Sequence, residues 1–359
     1  MRLTIVLPDV GLGGAQRIAL TLAAEWKRLG WTVSIVTICP DSPVFALPDG
    51  VDWHPLPEIP PGRPVRGNLA RFRQLRRMLD SLSPEVVVSL LPTANVLALM
   101  AGLGRPWRTV VAERAHPTHA PISRPWAVLR RLFYPLAHAV VTQTNTAKRA
   151  LGRVNRRMVV IPNPVAAMPA AAGAVSDLPR PYILAVGRLS EEKRYDNLID
   201  AFGVAASRIP AYHLIIAGPG EAQAELEAQA RRLGLAERVH LVGFVSDVGT
   251  LYGGAELFVM SSRYEGFPNA LCEAMAAGVP VISTDCESGP ADIVRPGVDG
   301  VLVPVGDITA MADAIAAMAA DDDKRRAMGL RGREIADRFG LKTILAKWSR
   351  VLEPTNIEG

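Results

Sequence analysis

The chain has 359 residues, more than one hydrophobic core usually supports, so we expect two domains. Its composition, 49% hydrophobic and 21% charged, is ordinary for a soluble α/β protein. Three cysteines without Cys-x-x-Cys spacing exclude a disulfide framework and a zinc site, and they suit a reducing cytosol. The apolar runs are too short for a signal peptide or a bilayer span, so we expect no segment that crosses a membrane.

The net charge of +5 is unevenly divided along the chain. The first 165 residues carry 21 Lys and Arg against 9 Asp and Glu, a net charge of +12, and the remainder carries 19 against 26, a net charge of −7. A basic half joined to an acidic half indicates that the basic half meets something anionic, either nucleic acid or a membrane surface.

The first half alternates short apolar strands with helices. It opens with the strand RLTIVLP, the amphipathic helix AQRIALTLAAEWKRLG, closed by a glycine, and the strand WTVSIVTI. It continues with the helix ARFRQLRRMLDSL, the strand EVVVSLL, the helix NVLALMAGL, the strand RTVVAE, a helix near residues 126–136 and the strand AVVTQ. This alternation predicts a parallel sheet with helices on both faces.

The second half repeats the alternation after PVAAMPAAAGAVSDLPRP, which we interpret as a linker. Its strands and helices are, in order, YILAVGRLS, DNLIDAFGVAASR, HLIIAGPG, AQAELEAQARRLG, RVHLVGF, ELFVMSS, NALCEAMAAG and VPVISTD, and a last helix, LKTILAKWSRVL, has no strand after it. We therefore predict an α/β protein with two doubly wound domains facing a central cleft, and we look for chemistry where the strands end.

A glycine-rich turn, GLGGAQR, follows the first strand. Such glycines let the backbone approach a phosphate at a helix start. The G-x-G-x-x-G dinucleotide fingerprint is incomplete, because Gln16 takes the third glycine position. Gly13 and Gly14 are therefore candidates for phosphate contact, and the alternative is a tight turn without a ligand.

Two cations follow the first strand of the second half, in GRLSEEKR. Arg188 and Lys193 flank a turn that enters a helix, where Arg as a fork and Lys as a point charge can hold a diphosphate. We expect Lys193 to be exposed in the cleft and to pair with a diphosphate rather than with the core. The alternative is a solvated basic turn.

Two glutamates lie in SSRYEGFPNALCEAMAAG, one on each side of a Gly-Phe-Pro break. Pro268 suits the first helical position, which would leave the amides of the next residues unpaired as an anion site. Glu273 shares a helix face with Asn269, and Glu265 lies in the turn before the helix. Two ordinary surface glutamates are the alternative.

The stretch YEGFPNALCEAMAAGVPVI, preceded by GRLSEEKR and by GLGGAQR after the first strand, resembles the retaining GT-B glycosyltransferases of family 4. The similarity covers nearly the whole chain. It implies a Rossmann-like N-terminal domain (residues 1–164) facing acceptor and membrane, a linker (165–180), a nucleotide-sugar-binding domain (181–340) and a C-terminal helix (341–359) that returns to the N-terminal domain.

The resemblance also implies roles for individual residues. Arg188 and Lys193 bind the donor diphosphate, Glu273 holds the nucleotide ribose, and Glu265 contacts hydroxyls of the transferred sugar. The other implied donor-binding residues are Gly13, Gly14, Phe267, Asn269, Ala270 and Leu271. Relatives commonly carry a histidine near the reacting sugar, and the candidate here is His116 in AERAHPTHAP, although His119, Glu113 or Arg114 could serve instead.

The implied enzyme is a retaining hexosyltransferase that needs no cofactor. The only Asp-x-Asp triplet, Asp321–Asp323, lies in MAADDDKRR, where acidic residues cap a helix start, so we expect no metal site. Arg188, Lys193 and the helix amides would replace the metal. The stretches VVSLLPTANVLAL and VVAERAHP are similar to the branch that uses amino-sugar donors and lipid-linked acceptors, which indicates transfer of an N-acetylhexosamine from a UDP-sugar to a lipid-linked or glycan acceptor.

Two segments, RGNLARFRQLRRML and SRPWAVLRRLFYPL, mix arginines with apolar and aromatic residues as interfacial helices do. Stacking aromatics of the kind that RNA modules use are missing, so we expect no nucleic acid. We expect a cytoplasmic protein peripheral to the inner face of an anionic membrane. The alternatives are ordinary helices with solvated arginines and, for the function, a sugar-nucleotide epimerase on the same fold or a non-catalytic nucleotide-binding Rossmann protein.

Overall fold

The computed structural model describes residues 1–11, 13–40, 46–59, 64–114, 116–118, 122–166, 178–287 and 289–353. The chain divides into two compact units, one made of Met1–Asn163 with Ile344–Gly359 and the other of Pro164–Thr343. Each unit contains one sheet, of seven strands in the first and six in the second. The strands pair in parallel in both sheets, which confirms the predicted α/β class.

The N-terminal unit follows the predicted alternation with a few additions. Its elements are β1 (Arg2–Leu7), α1 (Gly14–Arg28), β2 (Thr32–Thr37), β3 (Asp52–Pro55), α2 (Pro64–Leu82), β4 (Val86–Leu90), α3 (Pro92–Ala101), β5 (Arg108–Ala112), α4 (Arg124–Phe133), β6 (Ala139–Thr142), α5 (Asn145–Leu151) and β7 (Met158–Val160). The strand order is β3-β2-β1-β4-β5-β6-β7, so the winding direction reverses between β1 and β4.

The strands of this unit are buried because they carry apolar residues on both faces. Every residue of β4 is buried, and so is every residue of β1 after Arg2. A buried Val, Leu or Ile contributes about 1.5–3 kcal/mol relative to an exposed one. The indole of Trp348, near the chain end, packs edge-on against Trp26 of α1 at 5.8 Å between ring centroids, so the last helix contributes to the core of this unit.

The C-terminal unit has the same architecture. Its elements are β8 (Tyr182–Val186), α6 (Tyr195–Ala205), β9 (His213–Ala217), α7 (Gln223–Arg232), β10 (Val239–Gly243), α8 (Val248–Tyr252), β11 (Leu257–Met260), α9 (Asn269–Ala277), β12 (Val281–Thr284), α10 (Pro290–Ile293), β13 (Gly300–Val303), α11 (Ile308–Ala319), α12 (Asp322–Gly332) and α13 (Ile335–Arg338), and α14 (Leu341–Leu352) crosses the boundary between the units. The strand order is β10-β9-β8-β11-β12-β13, which places the reversal between β8 and β11.

Three short edge strands (β3, β7 and β13) and four short helices (α5, α8, α10 and α13) were not predicted. β3 reads DWHP, four residues without an apolar run, and it forms only by pairing with β2 at the edge of the sheet. Most of the predicted linker (167–177) lies outside the described residues.

Candidate functional site

In the C-terminal unit, the predicted donor residues follow β8 and β11, the two strands at which the strand order reverses. Ligands of open parallel sheets bind beyond the carboxyl ends of the strands at such a point. Arg188 and Lys193 follow β8, whereas Glu265 and the start of α9 follow β11. The fold thus brings together two motifs that are far apart in the sequence.

Lys193 and Glu265 form a direct ion pair, with 2.6 Å between Lys193 Nζ and Glu265 Oε1. The same carboxylate oxygen accepts a hydrogen bond of 2.6 Å from Ser262 Oγ. Only 18% of the Lys193 side chain and 10% of the Glu265 side chain is exposed. The expectation of an exposed Lys193 is therefore wrong, because its ammonium pairs with the Glu265 carboxylate in the turn after β11.

The turn that carries Lys193 is shaped by glycines. A Cβ on Gly187 would lie 2.9 Å from Tyr195 Oη and 3.1 Å from Lys193 Cε, so the glycine leaves room for the lysine to cross the turn. At Gly218, whose φ of +145° favours glycine, a Cβ would collide with the carbonyl oxygen of Gly187. The AGPG turn after β9 therefore supports the turn after β8 through backbone contact.

Arg188 is exposed, with 77% of its side chain in solvent. Its guanidinium lies 3.3 Å from Glu192 Oε1. Burial raises the pKa of Glu192, but hydrogen bonds from its own backbone and Ser190, and the charges of Arg188 and Lys193, lower it overall. An exposed guanidinium beside a half-buried lysine can bind a polyanion.

The start of α9 differs from the prediction. Pro268 is the N-cap residue, with φ −80° and ψ 80°, rather than the first helical residue. This conformation lets the amide of Asn269 donate to the carbonyl of Phe267 at 2.9 Å, so that amide is not an unpaired donor. Within the described chain, the amides of Ala270 and Leu271 donate to no carbonyl that precedes the helix, and no side chain caps it.

Phe267 is buried, and its ring packs edge-on against Phe339 at 6.1 Å between centroids. Any contact between Phe267 and a nucleotide-sugar donor would therefore have to involve the backbone of Phe267. Glu273 is half-buried and accepts a hydrogen bond of 3.2 Å from the hydroxyl of Tyr252, which also lies 3.2 Å from the carbonyl oxygen of Ala270. Tyr252, a core residue of α8, was not predicted to contact the site, since nothing in its local sequence points to Glu273.

In the N-terminal unit, the glycine loop follows β1 at the reversal between β1 and β4. Gly13 is the N-cap of α1, Gly14 is its first residue, and no side chain caps the helix. Asp9 Oδ1 accepts hydrogen bonds of 2.9 Å from the amide of Gly11 and from Gln16 Nε2. A Cβ on Gly13 would collide with Gln16 Oε1. Gln16, which takes the third glycine position of the fingerprint, is therefore buried against this loop and stabilises it.

His116, in the loop after β5, is buried, and its Nδ1 lies 2.8 Å from Thr118 Oγ1. His119, its alternative, lies outside the described residues. Glu113 belongs to a buried polar network, which we call the β5-end network (Asn95, Glu113, Arg130 and Tyr134). Arg114 is also buried and has a different partner, Asn163.

Within the β5-end network, the Tyr134 hydroxyl donates to Glu113 Oε1, which also lies 3.7 Å from an Arg130 nitrogen. Burial raises the pKa of the Glu113 carboxyl, against the hydrogen bond from Tyr134 and the charge of Arg130. Burial likewise lowers the pKa of Arg114 to about 10. Arg114 donates to Asn163 Oδ1 at 2.9 Å and stacks over Trp348 at 5.6 Å. Both residues are thus fixed by internal partners.

The acidic triplet Asp321–Asp323 caps a helix, as predicted. Asp321 Oδ1 accepts a hydrogen bond of 2.9 Å from the amide of Lys324 at the start of α12. In the described part of the chain, no group of three or more His, Cys, Asp or Glu side chains could hold a metal ion.

The basic segments form α2 and α4, and their arginines are not equivalent. Arg130 faces inward to Glu113, and Arg76 donates to the carbonyl of Leu103 at 3.1 Å. Arg131 is exposed, next to the exposed apolar side chains of α4 and the turn after it, which are Val128, Leu132 and Leu136. Among the helices that the structure describes, none is both long and apolar enough to cross a membrane.

Two family models match consecutive parts of the chain. The model described as "Glycosyl transferase 4-like domain" matches residues 13–164, and the model described as "Glycosyl transferases group 1" matches residues 172–335.

Curated relatives and solved structures are similar to the chain. An exopolysaccharide phosphotransferase from Streptomyces coelicolor is 30% identical over 77% of this chain, which spans only 29% of that protein. A glycosyltransferase from Campylobacter jejuni is 24% identical to this chain, and the similarity covers 98% of both chains. It is named GalNAc-α-(1→4)-GalNAc-α-(1→3)-diNAcBac-PP-undecaprenol α-1,4-N-acetyl-D-galactosaminyltransferase. The crystal structure of HepE from Anabaena in complex with UDP has a TM-score of 0.81 at 20% identity, covering 98% of this chain and 99% of that one.

Proposed function

Since the chain belongs to the group 1 glycosyltransferases and has the GT-B fold, we propose that it is a retaining, metal-independent enzyme that transfers an N-acetylhexosamine from a UDP-sugar to a lipid-linked or glycan acceptor. One observation carries the proposal. Arg188 and Lys193 follow β8, Glu265 follows β11, and Glu273 lies in α9. These two cations and two carboxylates lie where the strand order of the C-terminal sheet reverses, which is where a ligand of an open parallel sheet would bind.

The donor diphosphate would bind to Arg188 and Lys193. Arg188 is exposed and can act as a fork, while Lys193 would turn from Glu265 to the phosphate oxygens. Within the C-terminal unit, the amides of Ala270 and Leu271 would add partial positive charge at the start of α9. The start of α1, at Gly13 and Gly14, is a separate candidate for phosphate contact in the N-terminal unit. Asn269 would contribute through its side chain, since its amide is engaged, and Glu273 would hold the ribose.

In the reaction, the bond between the anomeric carbon and the diphosphate oxygen breaks, and its electron pair leaves with UDP. Negative charge grows on the leaving group, and the nearby cations stabilise it without a metal. The acceptor hydroxyl adds to the same face of the sugar, which retains the configuration, and its proton passes to the phosphate oxygen that leaves with UDP. Glu265 would contact the sugar as positive charge develops on it, and His116 would act near the reacting carbon.

The sugar and acceptor classes rest on similarity. The Campylobacter relative is named for N-acetylgalactosamine transfer to a glycan on undecaprenol diphosphate, and a solved neighbour holds UDP. A polyprenyl acceptor lies in a membrane, which fits the exposed apolar face of α4 with Arg131 beside it. We therefore propose a cytoplasmic protein held peripherally at an anionic membrane.

The test is a panel of UDP-, GDP-, ADP- and dTDP-sugars, first in thermal shift and then with lipid-linked acceptors in excess EDTA. Stabilisation by UDP-N-acetylhexosamines, glycosylated product with retained anomeric configuration by NMR, and full activity in EDTA are expected. Release of free UDP and epimerised sugar without acceptor would favour the epimerase instead, and loss of activity in EDTA with rescue by manganese would overturn metal independence. Binding of UDP with no turnover on any acceptor would favour a non-catalytic binding protein.

A further inference from the structure

Ser262, two residues after the end of β11, is fully buried, and its hydroxyl is directed to the ion pair. Ser262 Oγ and Lys193 Nζ each lie 2.6 Å from the same atom, Glu265 Oε1. A serine hydroxyl can donate one hydrogen bond, and here the acceptor of that bond is the carboxylate oxygen of Glu265. Two donors of different kinds therefore contact this oxygen, one mobile cation and one short neutral side chain.

The backbone around Ser262 is fixed by two further hydroxyls. Thr284 Oγ1, at the end of β12, donates to the Ser262 carbonyl oxygen at 2.6 Å, and Ser261 Oγ donates to the Lys193 carbonyl oxygen at 2.7 Å. These bonds tie three neighbouring chain segments, the turns after β8 and β11 and the end of β12, into one buried polar network. A buried network whose hydroxyls all have partners holds its members rigidly.

The two donors respond differently to a bound diphosphate. A diphosphate carries more negative charge than a carboxylate, so it attracts Lys193 Nζ away from Glu265. The Ser262 hydroxyl cannot follow, because it sits on a short side chain whose backbone Thr284 holds. The Glu265 carboxylate then loses its ion pair with Lys193 but keeps its hydrogen bond from Ser262.

We propose that Ser262 is a positioning residue, which holds the Glu265 carboxylate in its catalytic orientation once the donor has drawn Lys193 away. This inference rests on the proposed function of Glu265 and adds to it a residue that acts only through that carboxylate. Ser262 touches neither the donor nor the reacting carbon. Its removal should therefore lower turnover while leaving donor binding largely intact.

The primary variant is Ser262→Ala, and Ser283→Ala is its matched control. Ser283 is equally buried, lies in the neighbouring strand β12, and donates one hydrogen bond of 2.8 Å to the carbonyl of Thr284. Both variants remove one buried hydroxyl, so both should lose similar stability. We expect kcat to fall about tenfold in Ser262→Ala, with KM for the UDP-sugar and Kd for UDP within about twofold of wild type, and kcat to stay near wild type in Ser283→Ala.

A double variant separates positioning from a general structural defect. In the Glu265→Gln background, Ser262→Ala should cause little further loss of kcat, since it acts through the missing carboxylate. Ser262→Thr, which restores a hydroxyl, should recover most of the turnover. If Ser262→Ala does not fold, Ser262→Cys preserves nearly the same volume with a weak donor and should show the same loss of kcat.

Equal loss of kcat in Ser262→Ala and Ser283→Ala, or additive losses with Glu265→Gln, would overturn the positioning role. A fully active Glu265→Gln enzyme would have a different meaning, because it would remove the catalytic role of Glu265 on which this inference rests.

Discussion

The turn after β11 and the loop after β5 both place charged residues at the carboxyl end of a parallel strand, but they treat those charges differently. Lys193 and Glu265 pair directly, and exposed Arg188 lies in the same turn as Lys193. Glu113 and Arg114 are instead buried among Tyr134, Arg130, Asn163 and Trp348. The first arrangement can exchange an internal partner for a ligand, whereas the second would lose stability if its partners were removed. Under the proposed function, the first arrangement serves ligand binding and the second serves structural support, although both stretches read as strand-end charges in the sequence.

The largest effect is expected for Glu265→Gln. Turnover should fall by about 10²–10³-fold, because the variant loses a charge that faces the sugar as the transition state forms. The UDP affinity should stay the same or improve, since Lys193 no longer has a competing carboxylate. Steady-state kinetics and calorimetry with UDP measure both quantities. A variant with wild-type kcat would make Glu265 a structural partner of Lys193, as Glu113 is of Tyr134.

Glu113→Ala should mainly affect stability. It leaves the buried Tyr134 hydroxyl and Arg130 guanidinium without their shared carboxylate, so we expect a loss of about 2–4 kcal/mol in the free energy of unfolding. Denaturant titration measures it, and Glu58→Ala at an exposed site is a matched control. An unchanged midpoint would mean that this network is not the structural support inferred above.

The same carboxyl predicts a pH dependence. Because burial raises the pKa of Glu113 in the folded state, folded protein binds more protons than unfolded protein at pH values between the ordinary pKa of a glutamate and the folded pKa. Its contribution to stability is therefore present at low pH and lost as the pH rises through the folded pKa. Glu113→Gln should lack this decline, which unfolding midpoints from pH 4 to 8 would reveal. Parallel profiles for both proteins would contradict the assignment.

Glu273→Ala should weaken UDP binding by roughly tenfold with little change in kcat, as expected for an interaction made equally in the ground and transition states. Tyr252→Phe removes only the hydroxyl that donates to Glu273 and should have a smaller effect in the same direction. Calorimetry with UDP compares the two. A fall in kcat without a change in Kd would move Glu273 from the ribose to the reacting sugar.

The smallest effects concern the surface of α4. Arg131→Gln should reduce binding to anionic vesicles by about 1 kcal/mol, and Leu132→Ser should reduce it further by exposing a polar group to the bilayer. Arg130→Gln is the matched control, because Arg130 faces Glu113, so it should lower stability more than vesicle binding. Co-sedimentation at low and high salt measures the binding. Equal vesicle binding by the parent and the first two variants would make α4 an ordinary surface helix.

The sequence by itself determined the two runs of strands and helices, because apolar periodicity and glycine turns are local signals. It also indicated Arg188, Lys193, Glu265 and Glu273, since each lies beside a strand end or a helix start. It did not determine β3, which forms only by pairing at a sheet edge, or the exact start of α9, where Pro268 caps the helix and directs the Asn269 amide to Phe267.

The partners of these residues depended on tertiary structure. Lys193 and Glu265 are 72 positions apart and meet only because β8 and β11 are neighbours in the sheet. Arg130 and Arg131 are adjacent in the sequence, yet the packing of α4 directs one to buried Glu113 and leaves the other in solvent. Strand order and helix rotation are set by burial of the whole apolar surface, a sum over the complete core that no local stretch contains.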